Sequence, residues 1–197
     1  LLEKIPIKQQ IKDRMYPLLT FLIRKTYSSG FGKLLHILLK KTNLLSVSLH
    51  SFSNKTFHAL PPWHSRFALQ QFTQLENNII HRRKIATIYA EKIESSLLSN
   101  KITKQIHHST HLRFPFFTEK RQSLIEYLKK YNIHISDTWY DAPIAPKKYM
   151  KKTNYTHECP RAEKIAEHIV NLPTHRVISE KQALFIALII NKWKKSE

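Results

Sequence analysis

Three places in the sequence combine residue types that can do chemistry. Arg66 sits in His64-Ser65-Arg66-Phe67, and a guanidinium matches carboxylate or phosphate oxygens in a fixed fork. Arg113 opens the run Arg113-Phe114-Pro115-Phe116-Phe117 and offers a second fork. Trp139-Tyr140-Asp141 sets two aromatic faces beside a carboxylate, a combination that holds a polar ligand such as a sugar or nucleotide. Each has a plainer explanation. Arg66 can be an exposed arginine at a helix start, Arg113 an exposed strand arginine, and the aromatic pair a cover for the edge of a small sheet.

Other candidates carry less. His107, His108 and His111 raise the question of zinc, but their spacing lacks the i, i+4 geometry of a helix and has no convincing fourth ligand, so no metal is expected. Cys159 precedes Pro160, where a helix N-terminus can lower a thiol pKa. With no base partner identifiable, the expectation is a buried structural cysteine. His175, after Pro173, is most simply a turn residue. Only Gly30 and Gly32 are glycines, and no G-x-G-x-x-G or Walker-type loop occurs, which excludes an autonomous Rossmann or P-loop domain.

These residues need elements to position them. Phe72, Ile79, Ala86 and Ile93 recur every seven residues, with Leu75 and Tyr89 between them, which predicts one long amphipathic helix from Ser65 to about Leu98. Arg82 interrupts the stripe and predicts a solvent-facing or interfacial stretch. His111 to Phe117 reads as a strand, Glu119 to Tyr131 as a helix, Ile133 to Ile135 as a short strand, and Asp137 to Tyr155 as an irregular loop. Pro160 suits the first position of a helix reaching about Val170. Asn171-Leu172-Pro173 stops it and leads into a short extended piece. Ser179 with Gln182 has the capping-box pattern and opens a last helix to about Lys194. Upstream, residues 7–27 read as a helix kinked or split at Pro17, residues 33–42 as a second helix, and residues 43–62 as a connecting loop. The order after the long helix is that of an α+β module with a small sheet.

Composition bounds the rest. The chain has 197 residues, 42% apolar, enough for a real core. Its formal net charge is +19, which admits a nucleic-acid or anionic-membrane partner. The basic residues are spread from Lys4 to Lys195 without a dominant cluster, so a solubilising surface is the simpler account and nucleic-acid binding is not expected to be the main function. One cysteine cannot form an internal disulfide, which fits a reducing, cytoplasmic compartment. The apolar run Met15 to Ile23 is about half the roughly 20 residues needed to span a bilayer. No signal peptide is evident, and an opening of Leu1-Leu2-Glu3 without Met is expected of a fragment or a processed product.

Taken together, several motifs resemble one family. His64-Ser65-Arg66-Phe67-Ala68-Leu69-Gln70, then His81-Arg82-Arg83-Lys84-Ile85-Ala86, resemble the segment that opens the C-terminal domain of DegT/DnrJ/StrS aminotransferases. Arg113-Phe114-Pro115 resembles the family's strand after that helix, and Trp139-Tyr140-Asp141-Ala142-Pro143 its substrate loop. Cys159-Pro160-Arg161-Ala162-Glu163-Lys164, with Asn171-Leu172-Pro173-Thr174-His175 and then Ile178-Ser179-Glu180, resemble its closing elements. The likeness covers about residues 60–194.

The resemblance implies a fold-type I, aspartate-aminotransferase-like protein. Residues 61–197 would be its small C-terminal domain, a long helix plus a small sheet covered by helices, and residues 1–60 a helical insertion before it. It implies pyridoxal 5'-phosphate as cofactor, bound mainly by a large domain, and a homodimer with a shared site. It also implies transfer of an amino group from an amino-acid donor such as glutamate to a keto-sugar nucleotide, in polysaccharide or surface-glycan synthesis. His64 and Arg66 would contact the cofactor. Arg113 would meet the donor's carboxylate, and Trp139, Tyr140 and Asp141 the sugar nucleotide. Two departures matter. His64 stands where the family usually has Asn. Lys55 follows Ser51-Phe52-Ser53 but lies only 11 residues before Arg66 with no glycines after it, so it is not the cofactor lysine. That lysine is expected upstream of this chain, which alone should be inactive. The alternatives are a non-catalytic binding module derived from the fold and, further off, a basic nucleic-acid binder.

Overall fold

A computed structural model describes residues 3–45, 58–59, 61–135, 141–144 and 147–197. Two compact units result, Leu1–Phe72 and Thr73–Glu197. The described residues form a mixture of helices and very short sheets, an α+β chain.

In the first unit, Glu3–Lys4 (β1) pairs in parallel with His58–Ala59 (β2). Helix α1 runs over Ile7–Lys25 and α2 over Phe31–Lys41. Pro17 does not split α1. The chain turns between the two helices at Gly30, whose φ of 83° is left-handed and favours glycine. Gly32 is required for a different reason. A Cβ there would lie 2.2 Å from the Ile23 carbonyl oxygen, so the start of α2 can approach the end of α1 only without a side chain. Helix α3, Pro62–Phe72, closes the unit. It starts at Pro62, where the sequence suggests loop.

The second unit opens with α4, Leu75–Lys92. The heptad stripe predicts one continuous helix through this region, but the backbone breaks at Thr73–Gln74. Burial explains which half of the stripe matters. Ile85, Ala86, Tyr89 and Ile93 are buried, whereas Phe72 and Leu75 are exposed, so no core holds the upstream repeats to one axis. A short helix α5, Asn100–Lys104, precedes β3, Arg113–Phe117. Helices α6, Arg121–Lys130, and α7, Pro160–His168, lead to β4, Ile169–Pro173, and then α8, Glu180–Ser196.

Strands β3 and β4 form an antiparallel ribbon in which Phe114 faces Leu172 and Phe116 faces Val170. Alternation along a strand sends these four side chains to one face. All four are fully buried, against Ile85 and Tyr89 of α4, Leu124 and Leu128 of α6, and Ala187 and Ile190 of α8. This pairing corrects two expectations. The helix starting at Pro160 ends at His168, not near Val170, because Ile169 and Val170 are worth more as ribbon partners of Phe117 and Phe116 than as a last helical turn. Ile133–Ile135 is not a strand. Ile133 and Ile135 pack on the core as side chains, and among the described residues no strand pairs with them. The capping box is present as expected: the Gln182 N–H donates to Ser179 Oγ (3.2 Å) and the Ser179 N–H to Gln182 Oε1 (2.9 Å).

Candidate functional site

The residues singled out from sequence fall in both units. His64 and Arg66 lie on α3, held near its start by a bond from the His64 N–H to the Pro61 carbonyl (3.0 Å). The His64 ring stacks on Trp63, centroids 3.7 Å apart, and the Arg14 guanidinium lies over Trp63 at 5.4 Å. His64 Nδ1 and Trp63 Nε1 are both buried without a hydrogen-bond partner. Buried polar atoms are rarely left so. Arg66 is exposed.

In the second unit Arg113 starts β3 and is half-buried, so the plain expectation of an exposed strand arginine does not hold. Its side chain lines a cavity of about 420 Å³ together with Gln105, Ser109, Pro115, Ile169 and Asn171. Asp141 is half-buried, and its Oδ1 accepts from the Lys147 N–H at 2.9 Å, so the carboxylate braces its own loop. Trp139 and Tyr140 lie outside the described residues, as does Lys55.

Sequence reasoning missed the role of Arg82. It is neither solvent-facing nor idle. Its Nη1 donates to the Leu112 carbonyl (3.0 Å) and to Thr174 Oγ1 (3.2 Å), while Arg83 Nε donates to the Ser109 carbonyl (3.0 Å). Thr174 Oγ1 in turn donates to the His111 carbonyl. The two arginines thus tie α4 to the segment that enters β3. Burial and the neighbouring Arg113 both pull the Arg82 guanidinium below its usual range. The one available signal was the break Arg82 makes in the apolar stripe.

The histidines sort by environment. His111 is buried with φ 47°, and its Nε2 lies 2.7 Å from the Ile106 carbonyl, a structural bond that holds the turn before β3. His107 and His108 are exposed on that turn. Among the described residues no three His, Cys, Asp or Glu side chains converge on a metal position. Cys159 corrects an expectation, because it is exposed rather than buried. It ends the irregular loop ahead of α7, and its N–H donates to Tyr155 Oη (3.2 Å) while that hydroxyl donates to Glu163 (2.8 Å). The loop is therefore held by polar bonds, with no apolar pocket for the thiol. The Tyr155 hydroxyl and His157 hold the Glu163 carboxyl below the usual carboxylate range. No helix among the described residues is long and apolar enough to cross a membrane.

The same folded chain can be set against known proteins. A crystal structure of a DegT DnrJ EryC1 StrS aminotransferase from Brucella abortus shares its fold with a TM-score of 0.55 at 18% identity, over 73% of this chain. The chain spans 39% of that protein's length. No curated protein matches the sequence. The model of the DegT/DnrJ/EryC1/StrS aminotransferase family matches residues 60–190, a stretch that begins just before His64 and runs through Arg113, Asn171 and the capping box into α8. The chain belongs to the DegT/DnrJ/EryC1/StrS aminotransferase family.

Proposed function

We propose that the chain is the C-terminal part of a pyridoxal-phosphate-dependent aminotransferase that moves an amino group from an amino-acid donor to a keto-sugar nucleotide, in polysaccharide or surface-glycan synthesis. The observation that carries this reading is the family match over residues 60–190. Residues 61–197 are then the small domain and residues 1–60 a helical insertion, in a cytoplasmic homodimer.

The residues of α3 fit a cofactor phosphate. His64 Nδ1 and Trp63 Nε1 are buried without partners, and a phosphate oxygen would accept from the indole N–H and from the imidazole in the tautomer that protonates Nδ1. Arg66, three positions after Trp63, adds a cation with fork geometry. That His64 replaces the family's usual Asn is compatible with the role, since an imidazole N–H donates as an amide does. Pyridoxal phosphate, when bound, supplies the electron sink of the reaction, while the protein supplies orientation and electrostatics. This chain's share is to hold the phosphate through His64 and Arg66, to meet the donor's carboxylate with Arg113, and to bound the sugar nucleotide with Trp139, Tyr140 and Asp141. The lysine that carries the cofactor is contributed by another part of the protein, and this chain alone is inactive.

The test uses the gene with its upstream coding sequence. Expected is conversion of glutamate to 2-oxoglutarate dependent on both pyridoxal phosphate and a keto-sugar nucleotide. In the same protein, Arg66→Gln and His64→Ala weaken pyridoxal phosphate but leave pyridoxal binding alone, which isolates the phosphate contact. No transfer to any keto-sugar nucleotide by a cofactor-loaded protein sinks the proposal. So does a stoichiometric, borohydride-trapped cofactor on one lysine of the 197-residue chain, as far as the position of that lysine is concerned.

A further inference from the structure

The ribbon β3–β4 buries one face, and its other face is not simply open to water. Arg113, Pro115, Ile169 and Asn171 alternate with the buried residues and share that second face. With Ile102, Gln105 and residues 109–112 it lines an open cavity of about 420 Å³.

The cavity's polar wall is unbalanced. Asn171 is only 6% exposed, and its Nδ2 is buried without a hydrogen-bond partner. A buried donor left unpaired is costly, so it marks a missing acceptor. Two carbonyls of the wall are already engaged. The Ser109 carbonyl accepts from Arg83 and the Leu112 carbonyl from Arg82 and Thr174. Arg113 adds a guanidinium, and after burial it is the charge of this neighbour that holds Arg82 below its usual range. Among the described residues, no carboxylate forms an ion pair with either arginine. Two neighbouring cations and an unpaired amide donor, with their nearby carbonyls engaged, call for an anion that only accepts. The rest of the wall sets Ile102, Leu112, Pro115 and Ile169, which suit a short carbon skeleton, beside Gln105, Thr110 and His111.

We propose that this cavity is an oxyanion-binding site, in which Arg113 grips a carboxylate or phosphate in its fork and Asn171 Nδ2 donates to the same group. The site deepens the contact assigned to Arg113 above and rests on that reading for its place beside a reaction, but its ligand chemistry follows from the cavity itself. A carboxylate source would be the amino donor or another small organic acid, and a phosphate source the sugar nucleotide or free phosphate.

The experiment is calorimetric titration of the purified 197-residue chain with succinate, glutamate and inorganic phosphate, at constant ionic strength set by chloride. One saturable site is expected. Arg113→Gln weakens it by about tenfold or more, the loss anticipated when a charged hydrogen bond is removed. Asn171→Asp, which places a negative charge against the ligand, weakens it comparably. Arg161→Gln, on an exposed position of α7, leaves it unchanged. Following the Arg113 Nε–H resonance of the unmutated chain during the titration reads the site even if a variant fails to fold. Preference for the two acids over phosphate identifies a carboxylate source, and the reverse a phosphate source. The proposal is overturned if no anion saturates, if the Arg113 resonance does not move, or if Arg161→Gln weakens binding as much as Arg113→Gln, which would mean attraction to the overall positive charge alone. Because the titration needs no cofactor, its failure is separable from failure of amino transfer in the longer protein.

Discussion

In Thr73–Glu197, Phe114, Phe116, Val170 and Leu172 are closed off by the three helices α4, α6 and α8, and α8 alone buries Ala183, Ile186, Ala187, Ile189, Ile190 and Trp193. In Leu1–Phe72, α1 buries Ile23 and leaves Ile7, Ile11, Met15, Leu18, Phe21 and Leu22 exposed, while α2 buries Leu39 and exposes Leu34, Ile37 and Leu38. Both units are rich in apolar residues. What separates them is whether those residues are shut from water. Free energy of burial follows area removed from solvent, at about 25 cal/mol per Å², and not apolar content. Stability should therefore sit in the second unit, where the proposed oxyanion site and the ribbon share a scaffold. Among the described residues, the first unit shows the close α1–α2 approach at Gly32 and the Arg14 guanidinium over Trp63.

The largest effect that tests this contrast comes from the ribbon. Phe114 is fully buried and touches the core from the centre of β3, with its ring 5.5 Å from that of Tyr89. Phe114→Ala should cost about 3–5 kcal/mol, from lost transfer free energy plus a residual cavity. Leu18→Ala, at a position 53% exposed, should stay within about 0.5 kcal/mol. Urea unfolding followed by circular dichroism measures both. Equal losses would erase the distinction between the units.

A smaller effect probes the first unit at its tightest point. In Gly32→Ala the added carbon would meet backbone at 2.2 Å (Ile23 oxygen) and 2.8 Å (Tyr27 nitrogen), and backbone cannot swing aside as a side-chain end can. Overpacking of this kind costs about 1–3 kcal/mol. Hydrogen exchange should quicken in α1 and α2 and stay unchanged in β3, β4 and α8. Faster exchange throughout would show that the two units unfold as one.

These contrasts also explain what could be seen in the sequence. The strand expected over His111–Phe117, which forms from Arg113 because His111 takes a left-handed φ of 47°, the helix opened by Pro160 and the capped last helix were legible because each has a local signature: alternation, a proline at a first turn, a Ser with Gln three residues on. The break at Thr73–Gln74 was not, because a heptad stripe reports spacing and says nothing about which repeats find a core. Val170 was assigned to a helix since only the partner strand, more than fifty residues earlier, makes it extended. Of the residues in the proposed sites, Arg66 and Arg113 could be singled out by type and by family motif. Asn171 did not, because an unpaired amide exists only once the cavity around it has formed. Arg82 could be noticed as an interruption, but its bonds to Leu112 and Thr174 span 30 and 92 residues of chain.

The finest test of the buried unit is a single hydroxyl. Tyr89 is fully buried on α4, and its Oη donates to the Pro173 carbonyl at 3.1 Å, at the end of β4. Burial raises the phenol above the ordinary tyrosine range, since an ionised ring there would lose both its solvation and its proton for the carbonyl. The sign of the linkage follows. An unfolded tyrosine ionises near pH 10. With the folded value higher, the contribution is complete below about pH 10 and is lost as pH rises through the folded value, because the unfolded chain gives up its proton first. Tyr89→Phe should cost about 0.5–1.5 kcal/mol at neutral pH, the worth of one hydrogen bond, and should flatten the alkaline fall in stability. Urea midpoints measured from pH 7 to 11.5 on the two proteins would show it. A variant with the same alkaline slope as the parent would mean that Tyr89 is not held neutral by the core, and that the closure separating this unit from the first is looser at β4 than its packing indicates.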